Sequence, residues 1–275
     1  MPRISTVNSM HLSVSIERSL DEPKSGPISV GWILEDEKAG VIYFEPERVR
    51  MNPPNKKNAK SASRCPAVVA MESRYFLIKC PFDLHLGFDR DENGRPHLIN
   101  RAGPSSGIRK SALQKVVALT NEDEWRFPDR PTIQLILPYV FVADELVYMT
   151  QLSPFMHYSS EPLPGTIFGG RFPIDVWPRT LMWAFEWREP KKDLKLKRGD
   201  PLFYCMFEGD RPDRAIQIMR AEKTPELQSY LKHISATANF INQTFQLFKE
   251  AEKIRPETLL KPLKSRSDSP ERRRG

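Results

Sequence analysis

"DLKLKRGDPLFYCMFEGD", residues 193–210, alternates charged and apolar side chains, turns on Gly199-Asp200-Pro201 and then runs almost wholly apolar. A period of two marks a strand with one buried face, and glycine, aspartate and proline supply turn chemistry. Leu194 and Leu196 before the turn, and Leu202, Tyr204 and Met206 after it, predict two strands meeting at a sheet corner. Pro201 restarts the second strand at a position that needs no amide donor. The alternative, an adhesion role for Arg198-Gly199-Asp200, requires an extracellular protein. The first twenty residues carry Arg3, Glu17 and Arg18 and show no apolar block with a cleavage site, so they do not read as a signal peptide.

The strand signature extends through the chain. Twenty-five prolines dispersed over 275 residues leave little room for long helices, because each removes a donor and fixes φ. Between them, "ISVGWILED" (28–36), "GVIYFEP" (40–46), "SRYFLIKCPFDLHLGFD" (73–89), "TIQLILPYVFVAD" (132–144), "VYMTQLS" (147–153), "LMWAFEWRE" (181–189) and "LFYCMFE" (202–208) are rich in β-branched and aromatic residues. They predict a mainly β fold, an antiparallel β-sandwich or jelly-roll-like domain over 25–220, after an N-terminal extension or edge strand at 1–24. Asn93-Gly94 predicts a hairpin with His97 near its return strand, and the polar, basic 51–64 reads as an exposed connection.

One stretch is strongly helical: "TPELQSYLKHISATANFINQTFQLFKEAEKIRP", residues 224–256. Thr224 can cap it, Pro225 fits the first turn and Pro256 ends it. Leu227, Leu231, Ile234, Ala238, Ile241, Phe245 and Phe248 recur at alternating steps of four and three, which predicts one long helix within 221–256. Its stripe either closes the chain's own core or, through 225–254, pairs with a second copy in a homo-oligomer. Residues 257–275 are Lys/Arg/Ser/Pro-rich and lack aromatics, so a disordered basic tail is expected.

The formal charge of +7 looks like an invitation to nucleic acid, but the last fifteen residues hold six Lys/Arg against two acids. The body is left with an ordinary +3, so any phosphate neutralisation falls to Lys261, Lys264, Arg266, Arg272, Arg273 and Arg274. No run of 18 uncharged apolar residues calls for a membrane, and the expected compartment is the cytoplasm. Cys65, Cys80 and Cys205 lack metal-ligand spacing and read as buried free thiols.

No cofactor, metal or catalytic motif is legible. The five histidines form no His-x-Asp, His-x-Glu or His-Glu-x-x-His pattern, and no Walker, dinucleotide or nucleophile-elbow motif occurs. The richest stretch is "LPGTIFGGRFPIDVWP" (163–178), where Gly169 and Gly170 read either as a bulge or tight corner, or as an anion-holding loop beside Arg171. In the second reading Asp175 is an acid or base and Trp177 a stacking wall for a nucleotide or sugar. Trp183, Phe185 and Trp187 share a strand face, as core or, in the sharper alternative, as an aromatic groove.

"RCPAVVAMESRYFLIKCPFDLHL" (64–86), "PGTIFGGRFPIDVWPRTLMWAFEWRE" (164–189) and "LKLKRGDPLFYCMFE" (194–208) resemble a family of uncharacterised proteins of tailed phages, notably those of marine cyanobacteria, with more distant bacterial relatives. The resemblance implies a phage-associated protein, in the infected host cell or the virion, and carries no catalytic residue. The layout of strand, Gly-Asp turn and strand is also similar to the trimeric deoxyuridine-triphosphate nucleotidohydrolases, but "GGRFPIDVW" departs from their Gly-x-Ile-Asp-x-x-Tyr strand. The resulting expectation is a non-catalytic interaction or virion-accessory domain with a protein partner. The alternatives are an enzyme acting at 164–178 and nucleic-acid binding through the tail.

Overall fold

Fourteen strands form among the described residues, most of them where the chain runs apolar between turn residues. The structure is a computed structural model that describes residues 25–38, 41–50, 64–157, 161–238, 241 and 243–263. In chain order it contains β1 (Ile28–Leu34), β2 (Glu47–Arg48), α1 (Pro66–Glu72), β3 (Tyr75–Lys79), β4 (Leu84–Arg90), β5 (Pro96–Asn100), α2 (Lys110–Leu113) and β6 (Val117–Leu119). There follow β7 (Thr132–Val142), β8 (Val147–Leu152), β9 (Thr166–Ile167), β10 (Arg171–Pro173), β11 (Thr180–Glu186), β12 (Leu194–Leu196), β13 (Pro201–Gly209), β14 (Ile216–Arg220), α3 (Pro225–Thr237) and α4 (Thr244–Lys253). The fold is mainly β, as the dispersed prolines predict.

The strands make three sheets, ordered β14-β1-β7-β11-β9 with β6 on β7, β10-β8-β13-β3-β2, and β12-β4-β5. Pairing is antiparallel throughout except between β1 and β14. The two larger sheets bury one core between them: Trp32, Leu135, Tyr139 and Trp183 come from the first, Phe76, Ile78, Phe203 and Phe207 from the second. Phe141 and Phe207 meet across it edge-on at 5.1 Å between ring centroids, a geometry aromatic quadrupoles favour.

The Arg-Gly-Asp turn is a sheet corner in the literal sense. β12 belongs to the third sheet and β13 to the second, so the chain changes sheets at 197–200, and β3 and β4 make the same crossing at 80–83. The crossings bond to each other: Gly199 N–H donates to Cys80 O (2.8 Å) and Cys80 N–H to Asp200 O (2.9 Å). The Asp83 carboxylate accepts from Arg198 N–H (2.9 Å). Gly199 has φ of +90°, a conformation a side chain would resist.

The helical stretch is not one helix. The Thr224 side chain caps α3 as predicted, accepting from Leu227 N–H at 3.2 Å, but α3 ends at Thr237 and α4 begins at Thr244. "TANFINQT" (237–244) is rich in Thr and Asn, poor helix formers that compete for their own backbone, and the heptad count does not register this. Leu227, Leu231 and Ile234 bury themselves on Ile33, Val140 and Val142, the outer face of the first sheet. That half of the stripe closes the chain's own core. In α4 the inward residues are Leu247, Phe248 and Ala251, whereas Phe245 leaves the stripe and stands 81% exposed.

Other expectations need correction. Residues 257–263 are placed against the first sheet: Ala221 bridges Pro262, Leu259 is buried, and Asp144 Oδ1 accepts from the backbone N–H of Leu259 (2.6 Å) and Leu260 (3.1 Å). The segment 41–46 is no strand, but packs irregularly, with Tyr43 edge-on to Tyr139 and Phe44 O accepting the Tyr139 hydroxyl. Cys80 and Cys205 are buried, and burial pushes the Cys80 thiol up to about 12, but Cys65 is exposed at the start of α1. The expected extension at 1–24 and most of the 51–64 connection lie outside the described residues.

Candidate functional site

Between residues 164 and 189 the chain changes sheets twice, from β9 in the first sheet to β10 in the second and back to β11. The glycines serve these crossings. A Cβ on Gly165 would overlap the Glu186 carbonyl oxygen, and one on Gly169 would stand 2.6 Å from the Gln151 carbonyl oxygen. Gly170 O accepts from Gln151 N–H at 3.0 Å. None of these three glycines has a positive φ, so the tight-corner reading of "FGGRF" holds through close backbone approach.

The return from β10 to β11 runs through residues 174–179 and opens a cleft of about 320 Å³. The second sheet contributes Gln151 and Arg171 to it, the crossing contributes Trp177 and Arg179, and β11 contributes Leu181 and Met182. Leu247 and Phe248 of α4 form the opposite wall. Trp177 and Phe248 meet at 5.8 Å between ring centroids, and the Arg179 guanidinium lies 5.8 Å from the Trp177 ring. Arg171 packs over Tyr148 at 3.9 Å and faces Glu208 at 3.5 Å, an exposed pair of modest strength. Gln151 is a buried polar group in the lining, its amide donating to Met182 O at 3.3 Å.

The predicted site residues separate. Arg171 and Trp177 share the cleft, but Asp175 is not part of its lining. Its backbone carbonyl accepts from Arg255 Nε at 2.6 Å and its Oδ1 is buried without a hydrogen-bond partner. Burial is the largest influence on the Asp175 carboxyl and raises it above the ordinary range, against the backbone N–H groups of Asp175 and Val147 and the Arg255 charge. Trp183 and Trp187 are core residues and form no groove: the face they share with Phe185 is the inner face of β11. Trp183 stacks on Phe185 at 4.8 Å, and Trp187 Nε1 donates to Lys192 O at 2.9 Å.

Of the tail candidates, Lys261 lies 3.5 Å from the Glu222 carboxylate, while Lys264, Arg266, Arg272, Arg273 and Arg274 lie outside the described residues. Among the described residues no three His, Cys, Asp or Glu side chains are grouped to hold a metal ion, and no helix is long and apolar enough to cross a membrane. His85 bonds Asp193 at 2.8 Å, and His157 bonds the Tyr204 hydroxyl at 2.5 Å; neither histidine lines the cleft.

Sequence reasoning missed Gln151, Arg179, Met182, Leu247 and Phe248. Arg179 had a signal, since it follows Trp177 and Pro178 at the end of the same loop. Phe248 had none, because the stripe assigned it to the same face as Phe245. Comparison with known proteins adds no relative: no family model, curated protein or solved structure matches this chain.

Proposed function

We propose that this chain is a non-catalytic binding domain, an interaction module built on two sheets that form a sandwich over one core, and that the cleft between β10, β11 and α4 is its recognition site. The observation that carries the reading is the composition of the lining: two guanidinium groups beside an aromatic and aliphatic wall, with no carboxylate, histidine or cysteine among the lining residues. Apolar walls supply affinity and a few polar groups fix orientation, the usual division in a binding pocket. The cleft therefore suits a group that is apolar in body and negative in charge.

The enzyme alternative at 164–178 needs Arg171 and Asp175 on one ligand. Arg171 and Trp177 meet the binding half of that requirement, but the separation of Asp175 from the lining leaves the acid–base half without a residue. The phage-associated or virion-accessory role rests on the resemblance of 64–86, 164–189 and 194–208 alone, and a nucleic-acid role rests on the tail.

Met182 gives a clean test, because it is 38% exposed and can change without emptying the core. Fluorescence titration with anilinonaphthalene sulfonate, an aromatic anion, is expected to show saturable binding that Met182→Glu abolishes and Met182→Gln retains. Equal binding by both folded variants would place recognition elsewhere.

A further inference from the structure

The two cleft arginines are not equivalent. Arg171 is engaged on two sides, over the Tyr148 ring and against the Glu208 carboxylate, which is itself 42% exposed. Arg179 is exposed, with the Trp177 ring 5.8 Å from its guanidinium and no carboxylate partner among the described residues. An anion entering the cleft meets Arg179 with its charge uncommitted, and can use Arg171 only in competition with Glu208. The apolar part of the ligand has a defined place too, against Trp177, Phe248 and Leu247, with the flexible thioether of Met182 at the rim. At about 320 Å³ the cleft lies at the small end of ligand sites, room for one ring system and its charged group.

Resting on the binding reading above, we propose that the ligand class is an aryl anion, one aromatic ring system carrying a carboxylate or a phosphate, held by Arg179 and Arg171, and that Glu208 sets its affinity by competing for Arg171. Glu208 is then an internal stand-in for the ligand's charge. Its removal should strengthen binding, the reverse of the effect of removing a contact residue. A neutral aromatic of the same shape gains nothing from that removal, because it does not use Arg171 as a charge.

Calorimetric titration of the full chain with naphthoate, naphthyl phosphate and the neutral naphthamide tests this. Glu208→Gln should tighten both anions by about two- to fivefold, the worth of an exposed ion pair, and leave naphthamide unchanged. Arg179→Met should weaken both anions by about tenfold, the loss of one charge-assisted contact. The tighter of the two anions identifies the headgroup. If the anions bind but Glu208→Gln leaves them unchanged or weaker, the competition is refuted and the cleft stands. If neither anion binds the wild-type chain while it is folded, the cleft reading itself falls and the ligand class with it.

Discussion

Adjacent glycines in "FGGRF" give the sharpest test of how the binding region is built. A Cβ at Gly169 would lie 2.6 Å from the Gln151 carbonyl oxygen, whereas one at Gly170 meets nothing nearer than the Gln151 side-chain oxygen at 3.8 Å. Carbon and carbonyl oxygen rest no closer than about 3.3 Å even in favourable weak contacts, so Gly169→Ala must open the gap by more than half an ångström. The obstacle is backbone, and β8 cannot retreat freely, because Gln151 is paired with Cys205 of β13 in the middle of the second sheet. Overpacking of this kind costs about 1–3 kcal/mol, and in a domain of this size each kcal/mol lowers the melting temperature by about 2–4 °C. Gly169→Ala should therefore melt about 3–10 °C below wild type by circular dichroism. Gly170→Ala, at ordinary contact distance and without a positive φ, should be neutral or gain about 0.4–1 kcal/mol from a more restricted unfolded chain. An anion-holding loop makes a different forecast: both alanines would weaken anion binding and neither would move the melting temperature. Equal melting of the two variants would refute the close-approach account.

Two further perturbations follow from the same surroundings. The raised Asp175 carboxyl binds its proton more tightly in the folded than in the unfolded chain, so its penalty is present in full above the folded value and is relieved as pH falls toward the unfolded value of about 4. Asp175→Asn should accordingly melt above wild type at pH ~7 and converge with it near pH ~3.5, and a variant less stable at both would show that the carboxylate is net favourable. Ending the chain after Pro256 instead of after Leu263 removes buried Leu259 and both backbone donors to Asp144 and should cost about 2–5 kcal/mol in urea denaturation, a loss whose absence would show that 257–263 adds nothing to the fold.

The legible parts of the fold are those in which local chemistry and tertiary demand agree. Gly199-Asp200-Pro201 is a turn by its own backbone preferences and a corner in the structure. Trp183, Phe185 and Trp187 share a face because strands have a period of two, but periodicity names the face without saying what it looks upon, and here it looks inward. Trp177 is the same residue type in the same quoted block, yet it stands on a crossing between sheets and turns toward the helices. The heptad stripe misled for a related reason. It is read from apolar spacing alone and ignores the Thr and Asn of the sequence between the end of α3 at Thr237 and the start of α4 at Thr244, a helix in which Phe245 stands out and Phe248 turns in.

The cleft gathers residues near 151, 171–182 and 247–248, so no window of sequence contains it. Its position is nevertheless determined by topology. Among the described strands the chain changes sheets ten times, and two of these places are finished differently. At 80–83 and 197–200 two crossings run side by side and bond to each other through Cys80, Gly199 and Asp200, which closes the corner. At 174–179 the return to β11 is held by Ile174 N–H to Val147 O, by the short turn of Trp177 N–H to Pro173 O and by Arg255 Nε to Asp175 O. The cleft beside it is walled by side chains from α4. A wall of side chains leaves gaps that paired backbone does not, and two of those lining this gap are arginines whose charge the fold does not fully neutralise. Closing the cleft should therefore require a change in α4, not in the sheets: filling it with Leu247→Trp should block the aryl anion while leaving every strand pairing intact.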